Sequence, residues 1–460
     1  MKRLRVIVVG AGPVGTVTAL AIARKGLDVT VLETDECYDE KPRAATTHAS
    51  TLEMLRDLGI VEEVIRQGLI SARFQHWDRV SREMVAEFDY GLLAADTPYP
   101  YAVQCESHKT VAIAEAKLAQ YANAQVLRRH EVVRIEPRAD SVEVICETPG
   151  GRASFEADYL VGTDGARSLT RKTMGVGFEG YTFPEGFVGL TTPFDFEREY
   201  GYSNRNYFAD PQKYVMVFKV AGNDMRGLWR IISPTDVNEP DAAVLAEDAV
   251  QARLQHFFPK ATPYDIQYRG LYRFHQRVSE RFSAGRMFLA GDAAHVNNPA
   301  GGLGMNSGIH DGVELAELLA AVSEGAAASI LDRYDRRRRP LNVEFVQEQT
   351  VANKRRLEES DPAVRKTHLD ELRQIAGDPV RARQFLLRAS LIQSVRKAQT
   401  IEERACVCCM AGHAGADDGN VGRRRHGFVN DLAVDYHHHA IGELQPIFNM
   451  ISAKRLLIEG

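Results

Sequence analysis

The sequence predicts an α/β fold: a parallel sheet flanked by helices, interrupted by a second unit built largely from strands and followed by C-terminal helices. Three observations predict it. Short, largely apolar runs at 6–9, 29–32, 159–161 and 287–290 have the character of strands buried on both faces. A glycine-rich turn and a helical stretch separate the first two of these runs. The stretches 73–89 and 187–272, by contrast, are mostly strand-like segments, with one helix around 242–257.

The glycine turn reads Gly10-Ala11-Gly12-Pro13-Val14-Gly15, and each glycine answers a different requirement. Gly10 makes the tight turn, Gly12 lets a pyrophosphate approach backbone N–H groups without a Cβ in the way, and Gly15 lets helix and strand pack closely. Glu33 closes the second strand at the distance where an acid accepts hydrogen bonds from an adenosine ribose. An ordinary glycine-rich turn does not explain that acid, so the N-terminus is read as a dinucleotide site.

Two later motifs decide which dinucleotide. The run 159–168, YLVGTDGARS, is a strand ending in Asp164-Gly165; the run 285–305, GRMFLAGDAAHVNNPAGGLGM, is a strand, then Gly291-Asp292, then a glycine-rich loop opening a helix near Met305. Nicotinamide dehydrogenases need neither element. In order and spacing the three motifs resemble those of the single-component FAD-dependent aromatic hydroxylases, the family of 4-hydroxybenzoate and 3-hydroxyphenylpropionate hydroxylases, over residues 1 to about 400. The resemblance implies a Rossmann-like FAD-binding domain with a β-meander (1–72, 104–184 and 276–342), an interleaved α+β substrate domain with a mixed sheet (73–103 and 185–275), and C-terminal helices (343–405).

It also implies roles for individual residues. Arg43 is expected against the diphosphate and adenosine side, Gln104 at the ribityl and phosphate region, and Asp164 at the diphosphate and the receipt of NAD(P)H. Asp292 is suited to the ribityl hydroxyls, Pro299 and 301–304 let backbone approach the flavin edge, and a helix starting near Gly304, Met305 and Asn306 aims its positive end at the ring's pyrimidine side. Arg273, His275 and Arg277 are candidates for docking the nicotinamide nucleotide. The implied reaction has NAD(P)H (NADH or NADPH) reduce FAD, O₂ add to form a flavin C4a-hydroperoxide, and an oxygen atom pass to a phenolic or hydroxypyridine-type ring. The same scaffold also serves epoxidation, Baeyer–Villiger-type oxygenation and flavin redox sensing, which stay open here; a tryptophan-rich halogenase signature is absent, Trp77 and Trp229 being the only two tryptophans.

In chain order, apolar spacing predicts helices at 51–58 and 61–67, a hairpin of 73–77 with 84–89, and a helix over 109–122. Strands at 132–135, 142–147 and 153–155 form the meander. Ser168 is read as a cap for the next helix. Strands at 188–192, 206–209, 214–220 and 227–232 build the main substrate sheet, on which Tyr207, Phe218, Trp229 and Arg230 are candidate pocket residues. Arg230 is the strongest of these four, since a guanidinium on an inner strand needs an anion. No catalytic base is assigned; His76, Tyr101 and Tyr207 are the candidates. His295 and His310 are read as structural, the basic run 336–339 as the solvent-facing end of a helix, and 343–357, 362–376 and 379–401 as further helices.

The 460 residues exceed what one core usually supports, and a net charge of −5 argues against nucleic acid or an anionic membrane as partner. No apolar run approaches the ~20 residues that span a bilayer, and no leader is evident, so a cytoplasmic enzyme is expected, with a homodimer allowed. The six cysteines are read as reduced thiols. Residues 406–460, with Cys406, Cys408, Cys409, His413, 423–425 and 437–439, lack periodicity and a usual zinc spacing; an unstructured tail without metal is expected.

Overall fold

The chain folds, in a computed structural model that describes residues 3–411, around a six-stranded sheet. Its strands, in spatial order, are Ser283–Ala284, Met287–Leu289, Tyr159–Gly162, Arg5–Val9, Asp28–Leu32 and Ala124–Leu127. All but the first pair in parallel, and the first strand sits at the centre, with Val8 facing Val161 on one side and Val31 on the other. The helices Pro13–Arg24, Ser107–Leu118 and Gly304–Ser323 pack on it, and their apolar faces build a core with Val6, Val8, Leu20, Leu289 and Ile309. The meander Glu131–Pro137, Val142–Thr148 and Gly151–Ala157 forms an antiparallel sheet of its own.

A seven-stranded mixed sheet makes the second layer. Its order is Tyr268–Tyr272, Phe187–Thr192, Leu228–Pro234, Val215–Val220, Arg205–Ala209, Arg73–Asp78 and Glu83–Asp89. The early hairpin thus joins strands more than a hundred residues later, through a parallel pairing of Tyr207 with His76. One sheet face is sealed by the helix Glu247–Phe257 over Phe196, Trp229 and Phe258. The other bears Phe74, Phe88, Tyr207 and Met216, and packs on Phe385 and neighbours from the C-terminal helices.

Several expectations are corrected. The basic run faces solvent only in part: it lies in the helix Asp332–Asn342, where Arg336 is exposed but Arg338 is buried with its Nε 2.7 Å from Asp311 Oδ1, so a fully buried acid on a neighbouring helix has pulled that one arginine inward. The helix expected over 242–257 is split into Asp241–Val244 and Glu247–Phe257. The stretch 379–401 is interrupted at Leu391, whose φ of +60° ends Pro379–Ala389 before Ile392–Ala411 begins. That last helix carries the backbone through Cys406-Val407-Cys408-Cys409, where an unstructured tail was expected; the remaining tail candidates lie outside the described residues. No helix among the described residues is long and apolar enough to cross a membrane.

Candidate active site

The three motifs meet because glycine lets their backbones touch. Gly10 (φ +97°) would place a Cβ 2.7 Å from the Thr163 carbonyl oxygen, and Gly15 would place one 1.9 Å from the Gly10 carbonyl oxygen. Thr163 locks the contact: its N–H donates to Val9 O at 2.9 Å and its hydroxyl to Val9 O and Gly10 O at 2.8 and 2.9 Å. Helix packing brings in the third loop. Gly308 and Gly312 of the long helix meet Val14 and Thr18, where a Cβ would stand 2.6 and 1.9 Å away, and Gly291 (φ +60°) rests on Val14 as well. Asp292 is thereby delivered beside the first turn.

Around this junction the polar groups fall into two sets. One set is used up by the protein. Asp164 accepts from Ser168 Oγ (2.5 Å) and from the Thr170 N–H and hydroxyl (3.0 and 3.1 Å), so its carboxylate caps the helix Leu169–Thr173, with Ser168 as the expected N-cap. Asn306 donates to Thr46 O and Gly302 O and accepts from the His48 N–H, bracing the start of the long helix. Glu33 accepts the Ala11 N–H at 2.5 Å and that of Asp35 at 2.9 Å.

The other set is left open. A Cβ on Gly12 would meet nothing within 4 Å. Gln104 is fully buried; its carbonyl accepts from Thr46 Oγ1 at 3.0 Å, but its amide nitrogen has no partner. Asp292 is reached by water yet ringed by protein, and that crowding raises its carboxyl above the usual range despite the opposing charges of His295 and Arg43. No side chain caps Pro13–Arg24 or Gly304–Ser323, so both helices present their N-termini here, the second next to Pro299 and the left-handed Gly301 and Gly302. Arg43 stands off from the turn, exposed and paired with Asp39 at 2.8 Å.

Residues that no motif announced hold the loops in place. Arg171 donates to Ala166 O (2.6 Å) and Ala293 O (2.8 Å), stapling the second loop to the third, with its guanidinium 3.7 Å from the Phe178 ring centre. Asp311 receives the Gly291 N–H, His295 Nε2 at 2.8 Å and Arg338, which gives His295 the structural role expected of it. His310 is likewise buried, its Nε2 3.0 Å from Thr51 Oγ1.

One face of the mixed sheet forms a wall toward the loop before the long helix, where the sequence expects the substrate pocket. Directly opposed residues share a face, so Arg205, Phe218, Arg230, Thr191 and Tyr268 form one row across five strands, with Tyr207 and His76 in the next. Trp229, adjacent to Arg230, must point the other way, and it lies in the opposite core rather than the pocket. Arg230 sits at the far end, donating to Arg43 O at 2.9 Å while Tyr272 Oη donates to Pro42 O, so the two tie the Arg43 loop to the sheet. Tyr101 packs with Tyr99 against the other core, away from this wall. Arg273 pairs with Asp241, while His275 and Arg277 both reach Thr182.

Arg205 is the residue sequence reasoning missed, although it lies two positions before Tyr207 and the argument applied to Arg230 fits it better. It is buried and has no carboxylate partner among the described residues: it donates to Tyr90 Oη (2.7 Å), Tyr207 Oη (3.1 Å) and, at 3.5 Å, Gly301 O of the loop before the long helix. His76 stacks on Tyr207 at 5.1 Å, with Phe74, Phe88 and Phe385 beside it. Burial, then the charges of Arg356 and Arg205, push His76 down to about 3. His48, whose Nε2 lies 2.9 Å from Gly301 O, is pushed equally low by burial and Arg205.

The model of the family described as "FAD binding domain" matches residues 3–349. Para-nitrophenol 4-monooxygenase of Pseudomonas sp. (strain WBC-3) is 34% identical over 386 residues, 83% of this chain and 94% of that protein. The chain belongs to the FAD-dependent aromatic hydroxylases. A second relative, 6-hydroxy-3-succinoylpyridine 3-monooxygenase HspB of Pseudomonas putida (strain DSM 28022 / S16), is 33% identical over 391 residues, covering 83% and 96% of the two chains. Among solved structures, p-nitrophenol 4-monooxygenase PnpA from Pseudomonas putida DLL-E4 superimposes with a TM-score of 0.79 at 33% identity, over 85% of this chain and 99% of that one. Aklavinone-11 hydroxylase with FAD and aklavinone matches at a TM-score of 0.69 and 28% identity, over 78% and 70%.

This aromatic hydroxylase is a flavoprotein monooxygenase, and its open groups fit FAD. When bound, FAD would pass electrons received from a reductant to O₂ and so activate oxygen for transfer. The groups of this chain that would hold it are the cradle at Gly12, the free donor of Gln104, the carboxylate of Asp292 and two helix N-termini that favour negative charge.

Proposed function

We propose that the enzyme hydroxylates a phenol bound as its phenolate, taking electrons from NAD(P)H, in the pocket between the mixed sheet and the loop at 299–302. One observation carries this reading: Arg205 donates to Tyr90 and Tyr207, whose hydroxyls therefore act as acceptors toward it and keep their own protons for another oxygen. A buried cation acting through two hydroxyl donors suits an anionic oxygen. His76 is neutral at pH 7 and can accept a hydrogen bond from an arriving phenol, but it keeps a proton only when an anion lies alongside. Phe74, Phe88 and Phe385 exclude water from the ring to be oxidised. Ionisation makes that ring more nucleophilic, as oxygen transfer to it requires. The substrates named for the two relatives, a nitrophenol and a hydroxypyridine, are compatible with such a site.

The test is NAD(P)H oxidation by holoenzyme across a panel of phenols and hydroxypyridines, with product mass. A substrate should accelerate oxidation sharply and return a product heavier by one oxygen. Uniform, unstimulated oxidation across the panel would sink the proposal.

A further inference from the structure

Arg356, like Arg388 and the exposed Arg381, is an arginine of the C-terminal helices without an ion pair among the described residues, but unlike Arg388 it makes no hydrogen bond to a backbone carbonyl. Its neighbours are paired: Arg365 with Asp78, Arg383 and Arg396 with Asp96, Arg373 with Asp370, Arg355 with Glu359. Arg356 has no ion pair among the described residues; it makes one long hydrogen bond, to Asn353 Oδ1 at 3.4 Å. Its position is nevertheless fixed from both sides. Leu357 O accepts the Asp210 N–H at 2.9 Å, pinning the helix Glu348–Glu358 to the end of the strand that carries Arg205 and Tyr207. Asn353 Nδ2 donates to Ala300 O at 3.1 Å, pinning the same helix to the loop before the long helix. Arg356 is thus held where wall and loop meet, and of all charges its own is the one most strongly felt by His76.

Arg356 is part-buried, and desolvation lowers its proton affinity against the opposing charge of Glu371, which forms no ion pair with it; a guanidinium so placed gains from an anion that does. Arg205 already serves the hydroxyl end of the ring through Tyr207. We infer that Arg356 is a specificity-determining residue for a second substituent on that ring, a carboxylate or nitro group whose oxygens accept from its guanidinium. The inference rests on the phenolic reading above.

Absorbance titration of the FAD-loaded enzyme with 4-nitrophenol, 4-hydroxybenzoate and 4-methylphenol tests it. Arg356→Gln should weaken binding of whichever of the first two the wild type prefers by about 10–100-fold, the range of a charge-assisted hydrogen bond, while 4-methylphenol shifts less than about 3-fold. Arg356→Lys should recover part of the loss, and flavin content should be unchanged in both variants. Equal losses for all three phenols, or none for any, would overturn the inference. A wild type whose spectrum none of the phenols perturbs would instead bring down the phenolic reading itself.

Discussion

The loops around the first glycine turn and the wall formed by the mixed sheet handle charge in opposite ways. At the loops, Asp164, Asn306, Arg171 and Asp311 are consumed by protein partners, and what is left for a ligand is chiefly backbone and space. At the wall, the buried Arg205 and the part-buried Arg356 have no ion pair among the described residues, and His76, held neutral by burial, feels the charge of both. On the proposed function, a constant cofactor would be met by rigid backbone geometry, and a substrate that must be chosen by charge waiting for its complement.

The comparison breaks most visibly at the glycines. Gly15→Ala forces a Cβ onto the Gly10 carbonyl and should cost on the order of 3 kcal/mol or prevent folding outright. Gly12→Ala meets no protein atom, so it should melt like wild type while its FAD dissociation constant rises about 10–100-fold. Equal melting temperatures for both variants would show that the close contact is not what holds the loops.

At the wall, Tyr207→Phe should keep full flavin content and lower kcat/KM about 10–100-fold, and Arg205→Met should lower it further, since it removes the charge behind both hydroxyls. Stopped-flow and steady-state kinetics read both. Loss of flavin from Tyr207→Phe would blur the division between the two regions.

A smaller effect belongs to Gln104→Leu. Because the amide nitrogen has no protein partner, stability should hold or rise while FAD affinity drops about 5–10-fold.

Histidine titration gives the broadest signature. His48, His76 and His310 each sit near 3 in the folded protein against 6.5 in the unfolded chain, held down first by burial. Above pH 6.5 both states leave them neutral and nothing is lost. As pH falls from 6.5 toward 3 the unfolded chain takes up protons that the folded one refuses, so stability drops by up to about 1.4 kcal/mol per pH unit for each histidine. Denaturant midpoints should follow that slope, and His310→Gln should make it shallower.

Much of the cofactor side was legible in sequence because its requirements are local: a glycine where φ is positive or a Cβ would clash, and an acid at a strand end. Gly10 and Gly15 make the tight turn and the close packing that this logic asks of them. Side-chain direction on the charged elements was not legible. Arg338 turns inward because of Asp311, on another helix, and Arg171 acts through two carbonyls, one of them 122 residues away. Parity along a strand would have separated Trp229 from Arg230, since neighbours face opposite ways. It would also have paired Arg205 with Tyr207.

Fluorescence titration of flavin-stripped protein with FAD tests the convergence of the loops most directly, using wild type, Gly12→Ala, Asp292→Ala and the double variant. One FAD per chain should bind, each single variant should weaken it at an unchanged melting temperature, and the double variant should be weaker still. Wild-type protein that stays colourless with FAD, or variants that bind as tightly as wild type, would contradict the account.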